Sequence, residues 1–250
     1  MTGSVVLRAR DIVKELGRGA GKVRALRGVS LQLVAGELTL LMGPSGSGKT
    51  TLLSILGCIL TPTAGSLEVA DQSTQGLTPE ALAELRRRHV GFIFQSYNLF
   101  PTLTAEENVR LALDVRGERG SQAIVRAQRA LQRVGLGHKL KSFPSNLSGG
   151  EQQRVAVARA LAGAPSVMLA DEPTAALDSE NGQAVMALLS DISKDKSRAV
   201  LAVTHDPRTI PYADRVLRIE DGLIVGEERR PEGVDTIHQL ALERKRKAHA

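Results

Sequence analysis

The sequence contains a single cysteine among its 250 residues, so a disulfide within the chain is excluded. That residue, Cys58, lies in the apolar stretch from Leu52 to Leu60, which predicts a buried small side chain in a reducing compartment. One cysteine also cannot build a zinc site by itself. Disulfide-stabilised and zinc-stabilised classes of protein are therefore set aside.

Long hydrophobic runs are also missing, since no apolar stretch approaches the ~20 residues that span a bilayer. Arg8, Arg10 and Asp11 interrupt the region where a signal peptide would carry its apolar segment. Hydrophobic residues make up 42% of the chain and charged residues 24%, as in soluble globular proteins. We therefore expect a cytosolic protein built as one large domain or as a core with a subdomain.

Aromatic residues are scarce, at 2% of the chain, so the basic residues are not accompanied by a platform on which bases could stack. We expect no nucleic-acid partner. The formal charge of +6 includes three basic clusters, Arg86-Arg87-Arg88, Arg229-Arg230 and Arg244-Lys245-Arg246-Lys247. Such clusters are usually solvated faces; the alternative is an anionic membrane surface, where each basic residue adds ~1 kcal/mol. Residues 229–250 form a predicted basic extension, with an apolar stripe at Ile237, Leu240 and Ala241.

Short apolar runs alternate with helical segments, which predicts an α/β fold with a largely parallel sheet. Short strands and turns are predicted before Val34, and an inserted helical subdomain between about 98 and 162. Ligands bind at the carboxyl ends of parallel strands, so functional residues are expected directly after them. The predicted strands of this sheet are 38–42, 167–170 and 199–203.

A phosphate-binding loop follows the first of these strands. Gly43-Pro44-Ser45-Gly46-Ser47-Gly48-Lys49-Thr50 fits the pattern G-x-x-x-x-G-K-[ST], between a strand and a helical run that starts near Thr51. Its glycines let backbone N–H groups surround phosphates, and Lys49 adds positive charge at the β- and γ-phosphates. Thr50 offers a hydroxyl to Mg²⁺. The loop and Thr51 are therefore candidate nucleotide-binding residues.

Polar side chains follow the other apolar runs. Asp171 can bind Mg²⁺, while the adjacent Glu172 can accept a proton from an attacking water. Gln95 is a further candidate metal ligand through its amide oxygen, and the imidazole of His205 can donate to a γ-phosphate oxygen. Each of these residues at a strand end is common by itself. The phosphate-binding loop is what makes the set specific.

The run Leu147-Ser148-Gly149-Gly150-Glu151-Gln152 predicts the start of a helix, because Ser148 and Glu151 have the spacing of a capping box. The helix is expected to end at Gly163. The paired glycines each cost roughly 1 kcal/mol relative to alanine, so a partner is expected to approach the backbone closely there. An oxyanion suits a helix N-terminus, and the alternative is an ordinary capped surface helix.

Taken in order, these segments resemble the nucleotide-binding subunit of an ATP-binding cassette (ABC) transporter, over the chain to about Glu228. The fold implied for residues 1–228 is the P-loop NTPase ABC cassette. It has a RecA-like core, an N-terminal antiparallel β subdomain and the inserted α-helical subdomain at about 98–162. On this resemblance Gly43 to Thr50 is the Walker A loop, Gln95 the Q-loop glutamine, Leu147 to Gln152 the signature motif, Val167 to Asp171 the Walker B strand, Ala176-Leu177-Asp178 the D-loop and His205 the switch histidine.

The resemblance also implies ATP and Mg²⁺ as cofactors and two copies that share each ATP head to tail. Ser148, Gly149 and Gly150 of one copy would contact the γ-phosphate held by Lys49 of the other. The implied catalytic residues are Glu172, His205, Lys49 and Gln95, and the implied metal ligands are Thr50, Gln95 and Asp171. The other implied partner is a transmembrane permease, which places the protein on the cytoplasmic side of the inner or plasma membrane.

Three runs, 88–95, 169–174 and 212–215, resemble the ATPases of macrolide-efflux, lipoprotein-release and DevA-type glycolipid export systems. We therefore expect an ATP hydrolase that drives export or lipid-related transport. An importer ATPase of the amino-acid type is the alternative, because it shares much of the pattern. A soluble ABC ATPase acting on DNA or ribosomes is less favoured, since these residues contain no coiled-coil insertion or second cassette.

One position departs from the family pattern. The family usually places an aromatic residue before the phosphate loop to stack on adenine, and alignment of Lys14 through Leu31 puts Leu16 there. A leucine keeps apolar contact but loses a π-face, whose stacking on a base contributes roughly 1–3 kcal/mol. Weakened discrimination of adenine is therefore expected.

Overall fold

The computed structural model describes residues 3–17 and 19–230. These residues contain two β-sheets and six α-helices, joined by loops. In chain order the elements are β1 (Val5–Leu16), β2 (Val23–Val34), β3 (Leu38–Met42), α1 (Lys49–Leu56), β4 (Ala64–Val69), β5 (Gln72–Ser73), α2 (Pro79–His89), β6 (Val90–Ile93), α3 (Ala105–Asp114), α4 (Gly120–Arg133), α5 (Gly149–Ala162), β7 (Val167–Asp171), α6 (Ser179–Ser193), β8 (Ala199–Thr204), β9 (Arg215–Glu220) and β10 (Leu223–Arg229). The predicted apolar stripe at 237–241 and the basic cluster at 244–247 lie outside the described residues.

The larger sheet has the strand order β10-β9-β3-β8-β7-β6, and its strands are parallel except for β10. Its central strands are buried on both faces. In β3, Leu38 and Leu40 belong to one core cluster and Leu41 to the other. Burial on both faces explains why these strands are continuous apolar runs. The predicted α/β fold class is confirmed, and the carboxyl ends of β3, β7 and β8 lie side by side.

The smaller sheet is antiparallel, in the order β2-β1-β4-β5. The prediction of short strands before Val34 is wrong, because β1 and β2 are each 12 residues long. Register shifts interrupt their pairing, one of them at Asp11, which has a left-handed φ of 50°. Such bulges break the two-residue alternation and hide the length of a strand. Farther along, Leu31 and Leu33 are buried as the alternation predicts.

Helices α3, α4 and α5 occupy the stretch predicted to be helical. Their buried side chains join one face of the larger sheet in a single core cluster. Helix α1 joins the other cluster, with the smaller sheet and the opposite face of the larger sheet. None of the helices in the described ranges has the length and apolar character needed to cross a bilayer.

Two of the basic clusters make contacts within the chain. Arg86 donates to the Cys58 carbonyl at 2.7 Å, and Arg87 and Arg88 both pair with Glu84. Arg229, in β10, pairs with Glu227 at 3.0 Å and also with Glu37. These arginines therefore help to fix the ends of α2 and β10.

Candidate functional site

The loop between β3 and α1 leaves backbone N–H groups free for a ligand. Gly48 is the N-cap of α1 and has a φ of +99°, and no side chain caps this helix. A helix start without a side-chain cap has unpaired N–H groups and the positive end of the helix dipole. Gly46 has a φ of +81°, and a methyl group added at this residue would have no other atom within 4 Å. The loop is thus an open backbone cradle suited to an anion.

Lys49 and Ser47 indicate the charge of the ligand that would fit. The Lys49 side chain is buried, and its Nζ donates to the carbonyls of Gly43 at 2.9 Å and Pro44 at 2.7 Å. Among the described residues no carboxylate forms an ion pair with it. Ser47 is also buried, and its Oγ has no hydrogen-bond partner. A buried cation held only by neutral carbonyls, beside an unpaired hydroxyl, favours an anionic ligand.

Oxygen donors for a metal line the same cleft. Asp171 ends β7 and lines the cleft together with Thr50. Burial, and then the charge of Glu172, raise the pKa of Asp171, while Lys49 and Thr50 act in the opposite sense. Gln95 adds an amide oxygen at the cleft wall.

This donor set fits Mg²⁺. Hydroxyl, carboxylate and amide oxygens are hard ligands, and Mg²⁺ takes its remaining positions from water and phosphate. Among the described residues, no group of three or more His, Cys, Asp or Glu side chains could hold a metal by itself. A metal bound here would therefore depend on oxygens from a phosphate-bearing ligand.

Glu172 turns away from the strand that carries Asp171. It has a left-handed φ of 45°, and its N–H donates to the Val203 carbonyl at 3.0 Å. Its Oε1 lies 2.9 Å from Nδ1 of His205, which follows the neighbouring strand β8. The Glu172 side chain is 16% exposed and that of His205 is 71% exposed. The pair thus joins the ends of β7 and β8 and presents an imidazole to solvent.

These residues surround a cleft of about 940 Å³. Leu16 lines it from the end of β1, and the wall includes most of the phosphate-binding loop. A groove of about 650 Å³ between α2, β6, α3 and α5 contains none of the predicted site residues. The predicted residues that line the larger cleft are Leu16, Pro44, Ser45, Gly46, Gly48, Lys49, Thr50, Thr51, Gln95, Asp171, Glu172 and His205.

Several residues of this cleft were missed by the sequence analysis. Val23 pairs with Leu16 across the end of the β1–β2 hairpin, and both are exposed, at 64% and 41%. Together they add exposed apolar surface to the wall. Arg24 and Arg27, from the same strand β2, add positive charge. The turn between β1 and β2 sets which residues of the two strands face each other. Its position in the sequence would have indicated Val23 as the partner of Leu16.

The turn between β9 and β10 was also missed. Asp221 and Gly222 both have positive φ, and Asp-Gly between two apolar runs is a strong hairpin signal. Gly222 donates to the Ser47 carbonyl at 3.1 Å and accepts from the N–H of Arg27 at 2.9 Å. The turn therefore links the phosphate-binding loop to the smaller sheet.

Ser148, Gly149 and Gly150 do not line this cleft. They form the start of α5, and the predicted capping box is confirmed. The N–H of Ser148 donates to Glu151 Oε2 at 2.8 Å, and the N–H of Glu151 donates to Ser148 Oγ at 3.2 Å. The hydrogen bond from the Ser148 backbone lowers the pKa of the Glu151 carboxyl below its ordinary value. One chain thus carries two separate candidate anion sites.

Comparison with known proteins gives consistent relatives. A profile of the ABC transporter family matches residues 26–175. The macrolide export ATP-binding/permease protein MacB of Shigella flexneri is 46% identical over 233 residues, which are 93% of this chain and 35% of that protein. The protein of the same name from Escherichia coli K12 has the same identity and coverage. This chain therefore spans about a third of the length of these curated relatives.

Solved structures give the same result. The dimeric ATP-binding cassette MJ0796, in a post-hydrolysis state bound to ADP and Pi, aligns with a TM-score of 0.81 and 39% identity, over 90% of this chain and 99% of that one. The cbiO1 protein of Clostridium perfringens, part of the ABC transporter complex cbiONQ, aligns with a TM-score of 0.81 and 26% identity, over 98% of each chain. The resemblance inferred from the motifs is confirmed. The chain belongs to the ABC transporter family, and its fold is the ATP-binding cassette of that family.

Proposed function

We propose that this chain is the ATP-hydrolysing subunit of an ABC transporter and that it powers export or lipid- and lipoprotein-related transport through a separate transmembrane permease. The observation that carries this proposal is the convergence of Lys49, Asp171, Glu172 and His205 on one cleft, with Glu172 bonded to His205. Residues 1–228 form the proposed ATPase domain, with a helical subdomain at about 98–162.

The charge and position of each cleft residue determine which part of the nucleotide it binds. The backbone N–H groups of residues 43–51 bind the phosphate oxygens. When nucleotide binds, Lys49 leaves the loop carbonyls and donates to the β- and γ-phosphates. Thr50, Asp171 and Gln95 would hold Mg²⁺ through their oxygens. The ion would there neutralise charge on the transferring phosphoryl group. The base is read by Leu16 together with Val23 through apolar contact alone.

Glu172 and His205 act in the transfer of a proton from the attacking water. Glu172 accepts a proton from the attacking water, because its carboxylate stands at the cleft beside the metal-binding Asp171. His205 orients the Glu172 carboxylate through the 2.9 Å contact and directs the rest of its ring towards the γ-phosphate. Both residues therefore act at the reacting end of the nucleotide.

A second copy of the chain completes the site. Ser148, Gly149 and Gly150 start a capped helix but do not line the cleft of their own chain, which supports a head-to-tail arrangement. In it, the start of α5 of one copy meets the phosphate held by Lys49 of the other. The related cassette MJ0796 is dimeric, which supports the pairing of two copies.

Export is supported by the curated relatives, which are named macrolide export ATP-binding/permease proteins. They combine an ATP-binding part and a permease, and this chain aligns with about a third of their length. The solved cassettes align with 90% and 98% of this chain. The importer alternative receives no support from these relatives. The proposed location is the cytoplasmic side of the inner or plasma membrane, where the permease would hold the chain.

The basic extension at 229–250 is proposed to contact an anionic membrane surface. Arg229 and Arg230 form hydrogen bonds or ion pairs with the folded chain, so a deletion that tests the extension begins at residue 231. Deletion of 231–250 is expected to reduce co-sedimentation with anionic vesicles and to leave the low binding to neutral vesicles unchanged. Equal binding of the full and shortened chains to anionic vesicles contradicts this role.

The Glu172→Gln variant tests the proposed function. It should bind ATP and form stable dimers in Mg²⁺-ATP, with hydrolysis nearly abolished, because the amide cannot accept the proton of the attacking water. Glu180→Gln, which changes an exposed glutamate in the first turn of α6, is the matched control and should hydrolyse ATP like the unmodified chain. Normal turnover by Glu172→Gln would remove Glu172 from the catalytic role. A membrane protein that co-purifies with the chain would identify the permease.

A further inference from the structure

The two glycines at the start of α5 are each covered by a side chain of the same molecule. A methyl group at Gly149 would lie 3.0 Å from Oη of Tyr97, and one at Gly150 would overlap Oδ1 of Asn181. Neither glycine has a positive φ. The backbone alone therefore does not require glycine here. A methyl group at Gly150 would overlap the Asn181 side chain, and one at Gly149 would press on the Tyr97 hydroxyl, which would have to shift.

Tyr97 connects three functional segments. It follows Gln95 by two residues, and its hydroxyl lies 3.5 Å from the Ala176 carbonyl, in the loop after Glu172. The same hydroxyl covers Gly149. The ring thus stands between the start of α5 and the two loops that carry Gln95 and Glu172.

The backbone of Tyr97 is held by the same helix that its side chain touches. Tyr97 and Asn98 both have left-handed φ values, of 59° and 49°. Such values cost of order 1–3 kcal/mol each in non-glycine residues and persist only where the surroundings hold them. Arg159 of α5 donates to the Tyr97 carbonyl at 2.8 Å and to the Asn98 carbonyl. Burial lowers the pKa of the Arg159 guanidinium, and these carbonyls compensate for its lost hydration.

Asn181 is fixed in an equivalent way over Gly150. Its N–H donates to Asp178 Oδ1 at 2.9 Å, and its Nδ2 donates to Asp178 Oδ2 at 2.7 Å. This double contact aims the remaining amide oxygen at Gly150. The segment that caps α6 therefore also sets the distance to the start of α5.

We propose that Tyr97 is a positioning residue that sets where the start of α5 lies relative to Gln95 and Glu172, and that Gly149 is a glycine because the Tyr97 hydroxyl occupies the space of its side chain. The inference rests on the proposed function and deepens it, since the start of α5 is the part offered to the second copy. Asn181 has the corresponding role over Gly150. Tyr97 itself does not line the nucleotide cleft.

The test combines Gly149→Ala with Tyr97→Phe. Of the atoms near the added methyl group only Tyr97 Oη is tight, because Leu177 Cδ2 lies at 3.5 Å and Tyr97 Cζ at 4.0 Å. Gly149→Ala should lower kcat at least tenfold and weaken Mg²⁺-ATP-driven dimerisation in the Glu172→Gln background. Adding Tyr97→Phe should restore most of both. Alanine favours a helix over glycine, so helix propensity does not explain the loss.

Tyr212→Phe is the matched control, because Tyr97 and Tyr212 are the chain's two tyrosines. Combined with Gly149→Ala it should restore neither kcat nor dimerisation. ATP affinity of the monomer and Tm should stay close to those of the unmodified chain in Gly149→Ala and in its combination with Tyr97→Phe, which separates positioning from general destabilisation.

Wild-type activity of Gly149→Ala, or a double variant no better than Gly149→Ala alone, overturns the inference. The same series separates its failure from failure of the proposed function. If the unmodified chain hydrolyses ATP and Glu172→Gln dimerises with ATP, the proposed function stands even where Tyr97→Phe gives no rescue. If neither occurs, the proposed function itself fails.

Discussion

Nδ1 of His205 lies 2.9 Å from Oε1 of Glu172, although 33 positions separate the two residues along the chain. The parallel strands β7 and β8 bring them together, and the left-handed backbone of Glu172 turns its side chain towards the neighbouring strand end. The imidazole is therefore both an anchor for the proposed base and an exposed donor at the cleft.

His205→Ala is expected to lower kcat roughly 100-fold or more, because Glu172 loses the group that orients it and the γ-phosphate loses a donor. ATP affinity should change little, since the loop and Lys49 provide most of the binding. Steady-state kinetics with a parallel nucleotide-binding measurement would check this. His138→Ala, at an exposed histidine outside the cleft, serves as the control. A normal kcat for His205→Ala would refute the role.

Ser148→Ala and Thr104→Ala remove equivalent groups from two helices. Both residues are N-caps within capping boxes, Ser148 on α5 and Thr104 on α3. Loss of either cap costs about 1 kcal/mol, which corresponds to a decrease in Tm of about 2–4 °C for a chain of this size. Thermal unfolding should show similar decreases for both variants. A Tm unchanged by Ser148→Ala would contradict the stabilising role of the capping box.

Much of the site was predictable because the signals are local. The phosphate-binding loop, the carboxylates at 171 and 172 and the capping box at 148 each depend on residues close together in the sequence. Three strands of the larger sheet, β3, β7 and β8, were likewise predictable from their apolar runs. These features need only short-range rules of chain geometry.

The remaining features depend on how turns and loops place side chains. Val23 joins the cleft because the turn between β1 and β2 places it opposite Leu16. Tyr97 meets Gly149 from a loop in which two consecutive residues, Tyr97 and Asn98, are left-handed. No periodicity in the sequence signals either event, since bulges and left-handed non-glycine residues interrupt the regular patterns.

Leu16→Tyr should increase ATP affinity and the preference for ATP over GTP. Leu16 and Val23 line the cleft wall at this point, and an aromatic ring would add stacking of roughly 1–3 kcal/mol. Binding of both nucleotides by calorimetry measures the change. Leu77→Tyr, at an exposed leucine elsewhere, is the control. If Leu16→Tyr leaves both quantities unchanged, the assignment of position 16 to base recognition is wrong.

Cys58 should resist alkylation in the native protein. It is 6% exposed, and burial raises the pKa of its thiol to about 11. Since the thiolate is the reactive form, its fraction at pH 8 is roughly 100-fold below that of an ordinary thiol and increases with pH. Mass spectrometry after iodoacetamide treatment should show slow labelling when native and rapid labelling in urea. Equal rates in the two conditions would contradict the buried position.

Each site is proposed to be shared by two copies, with Lys49 and Ser148 supplied by different chains. The most direct measurement is the molar mass of Glu172→Gln in Mg²⁺-ATP by light scattering, with and without Ser148→Ala, alongside ATP binding to the monomer. We expect a dimer for Glu172→Gln, and for the double variant a monomer that still binds ATP. Thr104→Ala in the same background should remain dimeric. A dimer that persists without the Ser148 hydroxyl, or loss of ATP binding by the monomer, would contradict the shared site.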